Sequence, residues 1–256
     1  MKVDYLVWAA ILGYVFYKFL WPIIKIMMHG NIILNKSSKL TDEEYKKVSV
    51  SSIYAAQQAG FLNSVETGIT NVPTILNEWW GIYNKADAEN TIDMLLNGGD
   101  RCFFDAAYKA VFETKSDEEM QNMILNSLKN GEDVEKAISR AQNLKSCFDK
   151  MVELKIIEDK ETIKSSTSAG WDFGRATFLA RICYDHGLFT EDEAWEYINK
   201  SYDLTKKTFK DWKTFANSYV VGRIMWGGTN TVNDGMNMIA DDLTTNELSP
   251  WVKMPL

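Results

Sequence analysis

A chain of 256 residues with 46% hydrophobic side chains is long enough to bury a substantial core, and 28 Lys+Arg against 35 Asp+Glu leave a net charge of −7. This composition excludes a disordered tail and argues against a duplex nucleic-acid reader, which needs a basic face to neutralise phosphates; a basic protein partner is easier to accommodate. Cys102, Cys147 and Cys183 are too scattered for a disulfide framework or a metal knuckle, and they suit a reducing compartment.

Residues 5–17 are uncharged and mostly apolar, and after Lys18 the apolar character resumes as far as Ile24. A spanning helix wants roughly 20 apolar residues; a central Lys costs roughly 2.5–3.5 kcal/mol, against about 0.3–0.6 returned by each Leu, Ile, Phe or Val. Ten such residues between Leu6 and Ile24 offset the one lysine, whose stem can snorkel toward the interface. Residues 1–30 therefore read as an uncleaved anchor helix, since Lys2 beside Asp4 makes a poor signal-peptide start. Lys18, Lys25, Lys36 and Lys39 follow the apolar run and place the next domain in the cytoplasm by the positive-inside rule. The alternative is an amphipathic helix buried in a soluble cytoplasmic fold. Polar residues 31–39 read as a linker, and 40–256 as the main domain.

No proline occurs between Pro73 and Pro250, which favours helices. Capping-box patterns at Thr41–Glu44, Ser116–Glu119 and Thr190–Glu193 mark three helix starts. Gly60, Gly98, Gly131, Gly187 and Gly227 fall where helical patterns stop. The spacing predicts helices over 42–59, 72–83, 86–97, 101–114, 117–129, 133–153, 170–186, 191–206, 209–226 and 232–242, with Ser165–Ser168 as a loop. The fold class is all-α, a multi-helix bundle behind a hydrophobic N-terminal helix.

Polar residues on buried faces are the informative ones. Trp212, Phe215, Tyr219, Gly222, Arg223 and Trp226 form one stripe, so Arg223 needs a carboxylate or several carbonyls. Trp171, Asp172, Gly174 and Arg175 repeat the theme on the 170–186 helix, with Asp172 and Arg175 neighbours on one surface. Interior glycines permit close backbone approach. The expectation is a crossing at Gly174 and Gly222 that brings Asp172 to Arg223, with Trp171 and Trp226 excluding water. Arg101 follows Gly98-Gly99-Asp100 and is expected to share a face with Asp105 and Tyr108.

Such a cluster can fix helix packing, or it can form an anion-accepting pocket through spare guanidinium donors. The candidate ligand-binding residues are Arg101, Trp171, Asp172, Arg175, Arg223 and Trp226. Trp79, Trp80 and Trp251 are candidates for an exposed contact patch. No nucleotide loop, nucleophile elbow or metal-ligand spacing is present, so no catalytic residue, metal or cofactor is assigned. His186 precedes Gly187 at a helix end, where an imidazole meets the dipole favourably; the other histidine, His29, lies in the anchor region. The acidic clusters at 42–44, 117–119 and 191–193 occupy first turns, which explains them without catalysis.

Trp80-Gly-Ile, Gly99-Asp-Arg101, Gly170-Trp-Asp172-x-x-Arg175-Ala, Glu193-Ala-Trp195, Phe209-x-x-Trp212 and Tyr219-x-x-Gly222-Arg223-x-x-Trp226 together resemble the bacterial DUF1266 family over roughly residues 75–228. The resemblance implies a mainly helical bacterial protein without an agreed activity. Similar sequences often carry Gly-His-Arg before the first arginine; Asp100 replaces that histidine here, which speaks against an imidazole acid–base role. The leading expectation is a non-catalytic interaction or regulatory protein at the inner membrane, an immunity-like protein with a basic partner being one version. The alternative is an enzyme or small-ligand sensor built on the Asp/Arg/Trp cluster. An arginine open to a concave pocket would favour the second, and full enclosure would favour a packing role.

Overall fold

A computed structural model describes residues 2–21, 23–24, 30–128, 131–229 and 235–256, and the regular structure of these residues is helical, without a strand. Helix α1 (Lys2–Val15) runs into a π turn, Phe16–Leu20. Then come α2 (Asp42–Val48), a 3₁₀ turn Ser49–Ser51, α3 (Ser52–Gln57) and α4 (Val72–Thr74), which continues as a π turn Ile75–Trp79. Helix α5 (Lys85–Asn97), a 3₁₀ turn Asp100–Phe103, α6 (Phe104–Glu113), α7 (Asp117–Ser127) and α8 (Gly131–Glu153) follow. The chain closes with α9 (Lys160–Ser166), α10 (Ala169–Asp185), α11 (Glu191–Thr208), α12 (Trp212–Gly227), α13 (Met236–Thr245) and α14 (Pro250–Lys253).

Helix α10 is the axis of the fold. Every residue from Ala169 to Cys183 is buried, and α5, α11, α12 and the 49–51 turn pack around it. A helix enclosed on all sides needs small residues wherever neighbours come close. A Cβ on Gly170 would lie 2.7 Å from the Phe215 carbonyl oxygen, and one on Gly222 would lie 2.5 Å from Trp171 Cβ. The α10–α12 contact is thus centred one turn before the expected Gly174, whose open side is filled by the Tyr219 ring. Gly170 N–H donates to Ser218 Oγ of α12 at 2.9 Å and is satisfied across the same contact. Helices α6, α7 and α8 form an outer group, joined to the rest through α8 and α12.

The capping boxes at Thr41 and Thr190 are both formed. At Ser116 half of one forms, because the Glu119 carboxylate takes the Lys115 N–H instead. The expected 42–59 helix is broken where Ser49 and Ser51 turn their hydroxyls back onto the Tyr45 and Val48 carbonyls, a local competitor of helical bonding. Part of the expected Ser165–Ser168 loop is the last turn of α9, capped at its start by Asp159 on Thr162 N–H at 2.8 Å. Gly131 opens α8 rather than ending a helix. Residues 31–39 are no free linker: Ile32 and Ile33 are buried, and Leu62 N–H donates to the Ile33 carbonyl at 2.9 Å. The expected spanning helix is not supported, since none among the described residues is long and apolar enough to cross a membrane. His29 and the first residues of the expected 232–242 helix lie outside the described residues.

Candidate functional site

Gly99 has φ +56° and ψ −154°, a conformation essentially restricted to glycine. It turns the N–H groups of Asp100 and Arg101 toward α10, and both donate to Asp172 at 3.0 Å, one to each carboxylate oxygen. Arg175 Nη2 adds a bond to Oδ1 at 2.6 Å, and Arg101 Nη1 one to Oδ2 at 3.1 Å. Asp172 is fully buried. Burial pushes its pKa up, against the pull of Arg175 and the two backbone N–H groups. With both oxygens occupied twice, no position is left for a proton, and the carboxylate is ionised in the folded chain.

Asp100 extends the network. Its Oδ1 accepts from Arg140 of α8 through Nε at 3.0 Å and Nη2 at 2.7 Å, and its Oδ2 accepts from Arg175 at 2.9 Å. Burial opposes ionisation here, yet Arg175 and Arg140 hold the carboxyl below the usual range. Arg101 also donates to the Leu95 and Leu96 carbonyls and closes the C-terminus of α5. One network therefore ties α5, the 100–103 turn, α8 and α10 together. It sets three guanidiniums against two carboxylates, leaving one positive charge in excess.

Beside this lock opens a cleft of about 450 Å³, within the usual range for small-ligand sites. Its walls are Tyr54 and Gln57 from α3 and Gln58 at its C-cap, Trp79 and Trp80, Trp171 and Arg175 from α10, and Arg223 and Trp226 from α12. Arg175 bridges lock and cleft. Its Nε donates to the Trp171 carbonyl and its Nη2 to the two aspartates, whereas Nη1 has no acceptor among the described residues and is not sealed from the surface. Its guanidinium lies 4.2 Å from the centre of the Trp171 ring and 5.5 Å from that of Trp80. Arg223 lies 4.9 Å from Trp226 and 5.4 Å from Trp171. A guanidinium over an indole ring gains a favourable cation–π contact. Trp79 and Trp226 are 55% and 46% exposed, unusually open for indoles at the edge of a cleft. A larger hollow of about 680 Å³ between α12 and α13 is lined by mixed groups such as Lys213, Asn217, Asp241 and Thr244, with no aromatic ring among the described residues.

The structure divides the six sequence candidates. Arg101 and Asp172 belong to the lock, Arg223 and Trp226 to the cleft, and Trp171 and Arg175 to both. The expected Asp172–Arg223 pair does not form, because Asp172 is saturated by Arg101, Arg175 and the backbone, and Arg223 lies over tryptophan instead. Asp105 is exposed while Tyr108 is buried, so they do not share a face with Arg101. Trp79 is exposed as expected, but Trp251 is buried, stacked on Trp212 at 5.1 Å with its Nε1 donating to the Ser49 carbonyl. His186 does end α10 at its C-cap.

Arg140, Tyr54, Gln57 and Gln58 are additions that no motif announced. A second buried cation was also missed. Arg181 donates to the carbonyls of Phe61, Ser64 and Val65 and to Ser51 Oγ, and burial pulls its pKa down to about 10. The i,i+6 spacing from Arg175 on a helix with no polar face was its one sequence signal.

No curated protein and no solved structure matches the chain. A family description reading "Protein of unknown function (DUF1266)" matches residues 75–256, which carries the earlier resemblance on past residue 228 to the end of the chain and takes in both the lock and most of the cleft. The chain belongs to the DUF1266 family.

Proposed function

We propose that the domain is a binding module for a small anionic ligand, held in the cleft between α3, α10 and α12. The observation that carries this reading is Arg175. Its Nη2 is committed to Asp100 and Asp172 and its Nε to the Trp171 carbonyl, while Nη1 has no acceptor among the described residues and the side chain lines a cavity walled by indoles. Arg223 adds a second guanidinium to the same wall, in surroundings where apolar rings strengthen each polar contact. The lining offers charge, amides and aromatic rings; Tyr54, its one hydroxyl among the described residues, is pushed further from ionisation by burial. These groups hold a ligand rather than move its protons, so the reading is of a sensor or carrier rather than an acid–base enzyme. A basic protein partner fits this cleft poorly and would have to use acidic surface elsewhere.

The test is calorimetry and thermal melting of the full chain with inorganic phosphate, pyrophosphate and citrate. At a concentration about 100 times Kd, a ligand specific for the folded state adds about 2.7 kcal/mol of stability. The expected result is a rise in Tm with at least one anion, and its loss in Arg223→Gln with folding intact. Wild-type protein unmoved by all three would refute the reading.

A second part of the proposal concerns the N-terminus. Val7, Trp8, Ile11, Leu12, Phe16 and Leu20 are exposed, an apolar surface that water does not favour. We read this helix as holding the domain on a membrane, its side chains in lipid and the binding domain on the cytoplasmic face. Full-length chain is expected to float with phospholipid vesicles and to stay bound through a carbonate wash. Deleting residues 2–24 should leave it in the aqueous fraction; equal flotation of both forms would contradict the assignment.

A further inference from the structure

We infer that the ligand of the cleft is a nucleobase-type ring carrying an oxyanion, of nucleoside-monophosphate size; this rests on the cleft being an anion site and adds the ring. None of the described lining residues is Leu, Ile, Val or Met, so an acyl carboxylate would find no aliphatic wall. Arg175, part of a network with one positive charge in excess, disfavours an ammonium, which a cage of indoles alone would attract. What the walls do offer is flat: the indoles of Trp79 and Trp226 line the cleft and are about half exposed, surfaces on which a planar heterocycle can stack.

Gln57 and Gln58 supply the second half. Both side chains line the cleft, and neither amide has a hydrogen-bond partner among the described residues. A primary amide offers donor and acceptor side by side, the pattern that matches the edge of a heteroaromatic base and not that of a plain benzene ring. Arg175, which joins the cleft to the lock, offers Nη1 as the donor for the oxyanion. A nucleic-acid chain is a poorer occupant, because a polymer needs a basic track and this protein carries more acidic than basic residues.

The experiment titrates the full chain with the 5′-monophosphates of adenosine, guanosine, cytidine and uridine, and with adenosine and ribose 5-phosphate as half-ligands, by calorimetry and tryptophan fluorescence. At least one nucleotide is expected to quench fluorescence and to bind about tenfold or more tighter than either half. Trp226→Leu should remove the advantage over ribose 5-phosphate, and Arg223→Gln the advantage over adenosine, each with a melting curve showing a folded chain. Gln57→Leu with Gln58→Leu should compress the differences among the four bases. The inference is overturned if no nucleotide binds, or if ribose 5-phosphate or adenosine binds as tightly as the best nucleotide. Pyrophosphate binding that is lost in Arg223→Gln, with no gain from a base, would retain the anion site and reject the ring; no binding by any anion would reject both.

Discussion

Asp172→Ala is expected to lower folding stability by about 3–5 kcal/mol, the cost of breaking a buried ion pair from one side. The substitution strands the Arg101 and Arg175 guanidiniums and leaves the Asp100 and Arg101 N–H groups without their acceptor. Urea denaturation checks it, and a loss under about 1 kcal/mol would contradict the lock. Since domains are stable by only about 5–15 kcal/mol in total, the variant is expected to accumulate poorly in soluble form. Gly99→Ala provides the companion measurement. Its Cβ would lie 2.2 Å from Asp172 Oδ2 on a backbone with φ +56°, so the turn must move and release the same carboxylate. The two losses are therefore expected to be strongly sub-additive in the double variant, as changes that break one shared contact are.

Arg181→Met is expected to cost about 3 kcal/mol, because the apolar side chain regains packing while leaving buried carbonyls unsatisfied at about 1–3 kcal/mol each. Those carbonyls belong to Phe61, Ser64 and Val65, and the guanidinium is the post around which this loop is wound. The loss should be visible locally as well as globally. Hydrogen exchange is expected to accelerate across residues 59–69, next to the Thr67 N–H that donates to Asp185 at 2.9 Å, well before the α10–α12 contact loosens. Unchanged protection of that loop would show that it holds its shape without the cation.

The contrast between these two arginines explains what the sequence can and cannot reveal. Asp172 and Arg175 were legible because they stand three apart beside Trp171 in a helix otherwise free of charge nearby. Arg181 sits on the same helix, but a helix buried on every side has no polar face against which a misplaced cation stands out. Pairing across elements was harder. Gly170 and Gly174 are one turn apart and both face α12, and spacing alone does not say that Gly170 meets its backbone and Gly174 only the Tyr219 ring; choosing the later one led to Arg223 as the partner of Asp172. The true partners of Asp172 come from a turn held by Gly99 and from Arg175 on its own helix, while Arg140, 40 residues along the chain, pairs with Asp100. The 3₁₀ segment at 100–103 also advances by about 120° per residue rather than 100°, which separates Arg101 from Asp105 and Tyr108. Helix starts, by contrast, are local chemistry, and Thr41, Ser116 and Thr190 announced theirs.

The double duty of Arg175 constrains how relatives of this protein can diversify. Nε and Nη2 are part of the interior, and Nη1 belongs to the surface of the cleft. A change of recognition made at this position would be paid in foldability, so selection for a new ligand must act elsewhere on the wall. Trp226, Trp79, Gln57 and Gln58 lie outside the aspartate network and can change without opening it. Variation among homologues should therefore concentrate on the α3 and α12 sides and the tryptophan rim, around an invariant arginine.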